Sequence, residues 1–288
     1  MKRKNIPLCI LLAATMLVGC GAKNTATDTT APSQSNGESE DSADPGAPLV
    51  SEDEKSGSIT PLALDVPVEI NGKEFTITTE QAYPDDEDFV NVNATYGDQT
   101  LKLDESFGVN GIYEVVQADG TYVMTETYTL DDYSITYLVK IDKNGITQTD
   151  TRDGSLGEMP TDPKNGFPIT SKIDVLGSYG GTRTYTIENG RLTTESTLYE
   201  FLGTPDGDRP ILTVTGSISC RIEGGNTELN PGDVITLTGY SEEGTVCFEK
   251  QDGTAGTFLV DLDEEGNYAH TIGGVDENEL FESLPYAG

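Results

Sequence analysis

Few side chains in this 288-residue chain are suited to nucleophilic or metal chemistry. His270 is the one histidine, and no Gly-x-Ser-x-Gly turn is present to place a serine nucleophile beside it. We therefore expect no catalytic triad, and we assign His270 a surface or capping role. A structural zinc site takes four His or Cys ligands, whereas the predicted folded part offers only His270, Cys220 and Cys247. We predict no metal site and no cofactor.

Carboxylates are the abundant reactive groups, because the chain carries 50 Asp and Glu residues. Two carboxyls about 5–10 Å apart in a cleft can hydrolyse a glycosidic bond, so a hydrolase with a carboxylate pair is one hypothesis. Sugar clefts usually add aromatic platforms, and the chain has 13 Tyr but no Trp. We expect the strand tyrosines to serve cross-strand packing instead. They are Tyr122, Tyr128, Tyr133 and Tyr137.

One acidic run imitates the start of a calcium-binding EF-hand loop. Asp261, Asp263 and Glu265 have the spacing of its first ligands, but Ile272 stands at the twelfth position, where a bidentate Glu is required. We predict a turn at this run rather than a calcium site.

The excess of acidic over basic residues limits the classes of partner that this chain can bind. Only 17 Lys and Arg oppose the 50 acidic residues, which gives a formal net charge of −33. Such a chain repels phosphate backbones, so we expect no nucleic-acid partner. No apolar stretch reaches the roughly 18 residues that a membrane-spanning helix needs.

The N-terminus has the features of a signal peptide. Basic residues at positions 2–4 precede an apolar run over residues 6–18, which is too short to span a membrane. The run ends in a tetrapeptide that resembles the lipobox of bacterial lipoproteins, Leu17-Val18-Gly19-Cys20. The resemblance implies that residues 1–19 are removed and that Cys20 receives a diacylglyceryl group. Two acyl chains would hold the protein in the lipid bilayer, on the extracellular face of the cell membrane.

Residues 20–58 comprise the lipidated Cys20 and a predicted disordered, acidic tether. Their Ala, Ser, Thr, Gly, Asp and Glu residues offer too little apolar surface to offset the entropy of ordering a chain. We interpret the segment as a spacer between the bilayer and the folded part. Binding of a cationic partner by the acidic run is the alternative.

From residue 59 onward the pattern predicts antiparallel β structure. Alternating apolar residues are interrupted by six hairpin signals of the Asn-Gly, Asp-Gly or Gly-Asp kind. The signals are Asn71-Gly72, Gly97-Asp98, Asp119-Gly120, Asn144-Gly145, Asn189-Gly190 and Asp252-Gly253. The clearest helical candidate is short and covers residues 277–283. We predict an all-β protein with a meander or sandwich domain over residues 59–160.

A second β domain is predicted over residues 161–288, because prolines and glycines crowd the boundary around residue 160. Within it, the segment from Glu228 to Leu237 and the strands that follow resemble the core of bacterial SH3 modules. This resemblance covers residues 211–262 and implies a small SH3-like barrel, with no binding residues assigned. Residues 173–181 and 280–288 resemble stretches of uncharacterised exported proteins of anaerobic Gram-positive bacteria, which imply no activity.

Cys220 and Cys247 are the cysteines of the predicted folded part. Outside the cell a disulfide between them is allowed, and closing a loop of about 27 residues would stabilise the fold by roughly 3 kcal/mol. The alternative is a pair of buried thiols that act as small apolar residues. The residue types leave both alternatives open.

These observations favour a non-catalytic lipoprotein at the cell surface that binds or scaffolds. Its partners would be the bilayer, through acylated Cys20, and an envelope protein, a peptide or a wall component. We expect a monomer. The alternative is an anchored extracellular hydrolase that uses a carboxylate pair.

Overall fold

The computed structural model describes residues 57–129, 133–203, 209–262 and 270–286. The predicted signal peptide, Cys20 and the tether up to residue 56 lie outside the described residues. The described residues form antiparallel sheets with one turn of α-helix, which confirms the all-β fold class. None of their helices has the length and apolar character needed to cross a membrane.

Two sheets make up the N-terminal half of the described chain. The first has the order β2-β3-β4-β5, and the second has the order β1-β6-β7-β8-β9. The strands of the first sheet are β2 (Val68–Ile70), β3 (Lys73–Tyr83), β4 (Asp86–Tyr96) and β5 (Gln99–Ser106). Those of the second are β1 (Ser58–Pro61), β6 (Gly108–Gln117), β7 (Gly120–Tyr128), β8 (Ser134–Asp142) and β9 (Gly145–Asp153).

The third sheet has eleven strands and accounts for most of the C-terminal half. Its first five strands are β10 (Ser155–Leu156), β11 (Phe167–Asp174), β12 (Ser178–Glu188), β13 (Arg191–Thr193) and β14 (Leu198–Phe201). Six more follow: β15 (Ile211–Thr213), β16 (Ile218–Ile222), β17 (Gly225–Leu229), β18 (Val234–Ser241), β19 (Thr245–Lys250) and β20 (Ala255–Leu259). A short hairpin, β21 (Thr271–Ile272) with β22 (Val275–Asp276), leads into α1 (Glu277–Leu280). The sheets of the described residues include no closed barrel, and the SH3-like resemblance stays a prediction.

The predicted hairpin signals do connect paired strands. All six lie between neighbouring antiparallel strands. Asn71 and Gly72 both have positive φ, at 51° and 78°, as a type I′ turn requires. The short helix predicted at residues 277–283 is present as α1, which ends three residues earlier.

The second sheet is the middle layer of the fold. One of its faces packs on the first sheet through a shared cluster that includes Phe75, Val92 and Val139. Its other face contributes Tyr122 and other residues to a cluster with strands β11 and β12. Every side chain from Tyr122 to Thr127 in β7 is therefore buried. The described residues belong to one compact unit over residues 54–288, so residues on both sides of the boundary predicted near residue 160 share a core cluster.

Candidate functional site

The two predicted disulfide partners lie on opposite faces of the third sheet. Cys247 in β19 pairs with Thr257, and Thr257 pairs with Arg221 in β16. Paired residues share a face and successive residues alternate, so the Cys220 side chain points to the other face. With β20 between them, their Cα atoms are on the order of 10 Å apart, beyond disulfide reach. No disulfide joins them in this structure.

Both cysteines are buried, as the second alternative proposed. Cys220 belongs to a core cluster formed mainly by the third sheet, together with Val246 and Phe248. Burial raises the pKa of the Cys220 thiol, which disfavours the reactive thiolate form. Cys220 therefore acts as a small apolar residue of the core.

His270 is not a surface residue, so the surface alternative of the expected surface or capping role is wrong. Only 9 % of its surface is exposed, because the C-terminal segment packs against the β11–β12 turn. Its Nε2 lies 2.9 Å from the carbonyl oxygen of Asp174, 96 residues earlier. A carbonyl can only accept, so Nε2 carries the hydrogen. Its Nδ1 is buried and has no hydrogen-bond partner.

Glu277 is a fully buried carboxyl next to His270. The residue is 0 % exposed, its backbone N–H donates to the His270 carbonyl at 3.1 Å, and its Oε1 accepts from the Tyr286 hydroxyl. Its Oε2 has no hydrogen-bond partner. Burial raises the pKa of Glu277, although the Tyr286 hydrogen bond and His270 oppose the shift. We call His270, Glu277 and Tyr286 the C-terminal clasp.

The clasp closes over the turn between β11 and β12. Leu176 and Gly177 both have positive φ there, at 59° and 120°. The N–H of Ser178 donates to the Pro285 carbonyl at 3.0 Å, and the Tyr179 hydroxyl donates to Leu176 at 2.9 Å. The two stretches noted for their resemblance to exported proteins therefore contact each other. Because His270 and Glu277 are buried, the clasp is suited to holding the C-terminal segment rather than to binding a substrate.

A second group of polar and aromatic residues reaches the surface at the far end of the first sheet. The rings of Tyr83 and Phe89 meet edge to face with centroids 6.1 Å apart, and those of Phe89 and Phe107 lie 4.4 Å apart. Tyr83 is 48 % exposed, and the other two rings are half-buried. We call Tyr83, Phe89 and Phe107 the aromatic tip.

Charged side chains fix the aromatic tip in place. The Tyr83 hydroxyl donates to Glu105 Oε1, and Lys102 Nζ lies 3.1 Å from Glu105 Oε2. The hydrogen bond from Tyr83, followed by that from Lys102, lowers the pKa of Glu105. The same hydrogen bond raises the pKa of Tyr83. A half-buried carboxylate thus orients the outermost ring.

The β3–β4 hairpin surrounds this tip with negative charge. Four consecutive acids occupy the last residue of its turn and the first three residues of β4, and Asp85, Glu87 and Asp88 among them are exposed. The backbone N–H of Asp88 donates to Asp86 Oδ1 at 3.0 Å, which shapes the turn. We call residues 85–88 the acidic turn. Polar residues continue from it along the outer face of the sheet, where Asn93 Nδ2 lies 3.3 Å from Glu80 Oε1.

The strand tyrosines fall into two groups. Tyr122 and Tyr137 are buried, as cross-strand packing requires, whereas Tyr128 and Tyr133 are exposed. The aromatic tip was not predicted from the sequence. Its sequence signal is the stretch from Tyr83 to Phe89, in which a proline and four acids stand between two aromatic residues.

Asp263 and Glu265 of the imitated calcium loop lie outside the described residues. Over the described ranges, no group of three or more His, Cys, Asp or Glu side chains is placed to hold a metal ion. Comparison of the chain with protein-family models, with curated proteins and with solved structures found no match.

Proposed function

We propose that this protein is a lipoprotein of the cell surface, anchored through Cys20, that binds a component of the cell envelope and does not catalyse. The lipobox resemblance and the acidic tether support the anchoring. The single observation that supports binding is the exposed aromatic tip. Aromatic residues are enriched at binding surfaces, where a few of them dominate the binding free energy.

The position of the tip suits a binding surface. Phe89 lies on β4 and Phe107 directly follows β5, so paired strands hold both rings. The hydrogen bond to Glu105 restrains Tyr83. Side chains that are already ordered lose little conformational entropy when a partner arrives. The tip is therefore organised for contact before binding occurs.

The hydrolase alternative draws no comparable support from the described residues. Glu114 and Glu277 are the carboxyls whose pKa is raised, and burial is the first cause for each. A glycoside hydrolase needs an acid of raised pKa that faces a second carboxylate across an accessible cleft. Glu277 is sealed beneath the C-terminal segment and faces Tyr286 instead.

The anchoring is tested by fractionating cells that express the full chain. Cys20→Ala should move the protein from the membrane fraction to the medium. Cys9→Ala, which changes another cysteine of the same leader, is the matched control and should leave the protein in the membrane fraction. Membrane retention of the Cys20→Ala protein would contradict the anchoring.

The binding activity is tested with the full chain purified in detergent and applied to arrays of cell-wall glycans and peptides. We expect retention of one class of ligand and loss of that retention in Tyr83→Ala. Turnover of a wall glycan that one carboxylate substitution abolishes would instead establish the hydrolase.

A further inference from the structure

The geometry points to a basic peptide segment of a partner protein as the ligand of the aromatic tip and the acidic turn. This inference rests on the proposed binding function and names the chemistry of its partner. Three features of the described residues carry it: the local charge, the exposed rings and the spacing of the carboxylates.

The local charge is strongly negative. The acidic turn contributes four carboxylates, and Glu80 and Glu105 lie on the adjoining strands. Over residues 62–107 the chain has only two basic residues, Lys73 and Lys102. Lys102 pairs with Glu105, and Lys73 lies over the Tyr96 ring, 5.3 Å from its centroid. The carboxylates of the acidic turn therefore attract cations from outside.

The exposed rings add a contact that a cationic side chain can use. Arg and Lys are attracted to the faces of Tyr and Phe within about 6 Å of the ring centroid. Tyr83 is the most exposed ring of the tip, and the acidic turn begins two residues after it. An arginine could stack on the ring while its guanidinium pairs with a neighbouring carboxylate.

The spacing of the carboxylates favours an extended polycation over a metal ion. Asp85, Glu87 and Asp88 are exposed along the turn, and no three acidic groups among the described residues converge on one point. A divalent ion needs several oxygens at one centre. Several basic side chains along a peptide can each meet one carboxylate. A neutral glycan would gain nothing from this excess of negative charge.

The test is a fluorescence anisotropy titration of the full chain with a labelled Arg/Lys-rich peptide. Matched peptides of neutral and acidic composition are titrated in parallel, at about 150 mM salt, where exposed charges more than about 8 Å apart are screened. The first variant neutralises the exposed acids of the turn: Asp85→Asn, Glu87→Gln and Asp88→Asn. The matched control neutralises three exposed acids at the opposite end of the same sheet: Glu69→Gln, Glu74→Gln and Asp98→Asn.

The two triple variants carry the same net charge, so any difference between them reports position. We expect the turn variant to bind the basic peptide about tenfold more weakly and the control variant to bind within about twofold of the parent chain. Tyr83→Ala should also weaken binding, with the midpoint of thermal unfolding unchanged. Equal losses in the two triple variants would show that the attraction is unspecific and would overturn the inference.

Failure of this inference is distinguishable from failure of the proposed function. Absence of peptide binding, together with Tyr83-dependent binding of a neutral glycan, would overturn the basic partner and leave the binding function standing. Absence of any ligand on peptide and glycan arrays would overturn both.

Discussion

Two tyrosine–glutamate hydrogen bonds lie in different regions of this molecule, and their surroundings give them opposite properties. At the aromatic tip, Tyr83 donates to Glu105 and the pKa of Glu105 is lowered. In the C-terminal clasp, Tyr286 donates to Glu277, yet the pKa of Glu277 is raised, because burial outweighs the hydrogen bond. We propose that the same pair of side chains serves contact with a partner where water reaches it, whereas it serves structural closure where it is buried.

The largest expected effect concerns the turn beneath the clasp. Gly177 has φ +120°, and a Cβ there would lie 2.7 Å from the Tyr179 hydroxyl and 2.9 Å from Pro285. Gly177→Ala should lower the free energy of unfolding by about 3 kcal/mol, because it adds steric overlap to backbone strain. Chemical denaturation of the full chain measures the change.

Gly72→Ala is the control for this substitution. Gly72 has φ +78°, but nothing lies within 4 Å of the added Cβ, so only backbone strain of about 1 kcal/mol is expected. Equal losses for the two variants would mean that the clasp does not restrain the turn.

The next largest expected effect is a difference in stability between Tyr286→Phe and Tyr83→Phe. Tyr286→Phe removes the hydroxyl that donates to Oε1 of the buried Glu277, whose Oε2 has no hydrogen-bond partner, and should cost about 2 kcal/mol. Tyr83→Phe leaves Glu105 accessible to water and to Lys102, so its unfolding free energy should match that of the parent chain. A larger loss in Tyr83→Phe would reverse the assigned roles.

The pH dependence of stability provides a further comparison between Glu277 and Glu105. The pKa of Glu277 is raised in the folded chain above its ordinary 4.5, so the folded state binds its proton more tightly than the unfolded state. The associated stability is present below pH 4.5 and is lost as the pH rises through the folded pKa. Glu277→Gln should remove this loss, and its stability relative to the parent should therefore increase with pH. Urea unfolding at a series of pH values above 4.5 measures the difference.

Glu105→Gln is the control at the exposed site. The pKa of Glu105 is lowered, so any stability it contributes is present above its ordinary pKa and is lost as the pH falls. The contribution of Glu105 to stability therefore changes with pH in the opposite direction to that of Glu277, and solvent screening keeps the contribution small. If the stability of both variants relative to the parent chain changed with pH in the same direction, the contrast between the buried and the exposed glutamate would be wrong.

Local sequence predicted much of the fold, because the hairpins of this chain are encoded over a few residues. Asn71 and Gly72 adopt the positive φ that their types favour, and the six hairpin signals lie between paired strands. The β3–β4 hairpin was missed, because its Pro84-Asp85 turn lacks the Gly that the six hairpin signals contain.

The sites depend on pairings that are distant in sequence and were therefore not predictable. Cys220 and Cys247 lie on opposite faces because Arg221, rather than Cys220, is in register with Cys247 across β20. His270 is buried because it meets Asp174, 96 residues earlier. Neither arrangement produces a pattern in the residues next to it in the sequence. The aromatic tip does have a sequence signal, which is the acidic run between Tyr83 and Phe89.

The central claim is that partners contact the aromatic tip while the clasp serves only the fold. Amide hydrogen exchange of the full chain, with and without the Arg/Lys-rich peptide, tests it most directly. We predict slower exchange over residues 83–89 and 105–108 when the peptide is bound, with unchanged exchange over residues 174–179 and 276–286. Protection of the C-terminal segment with no change at the tip would contradict the claim.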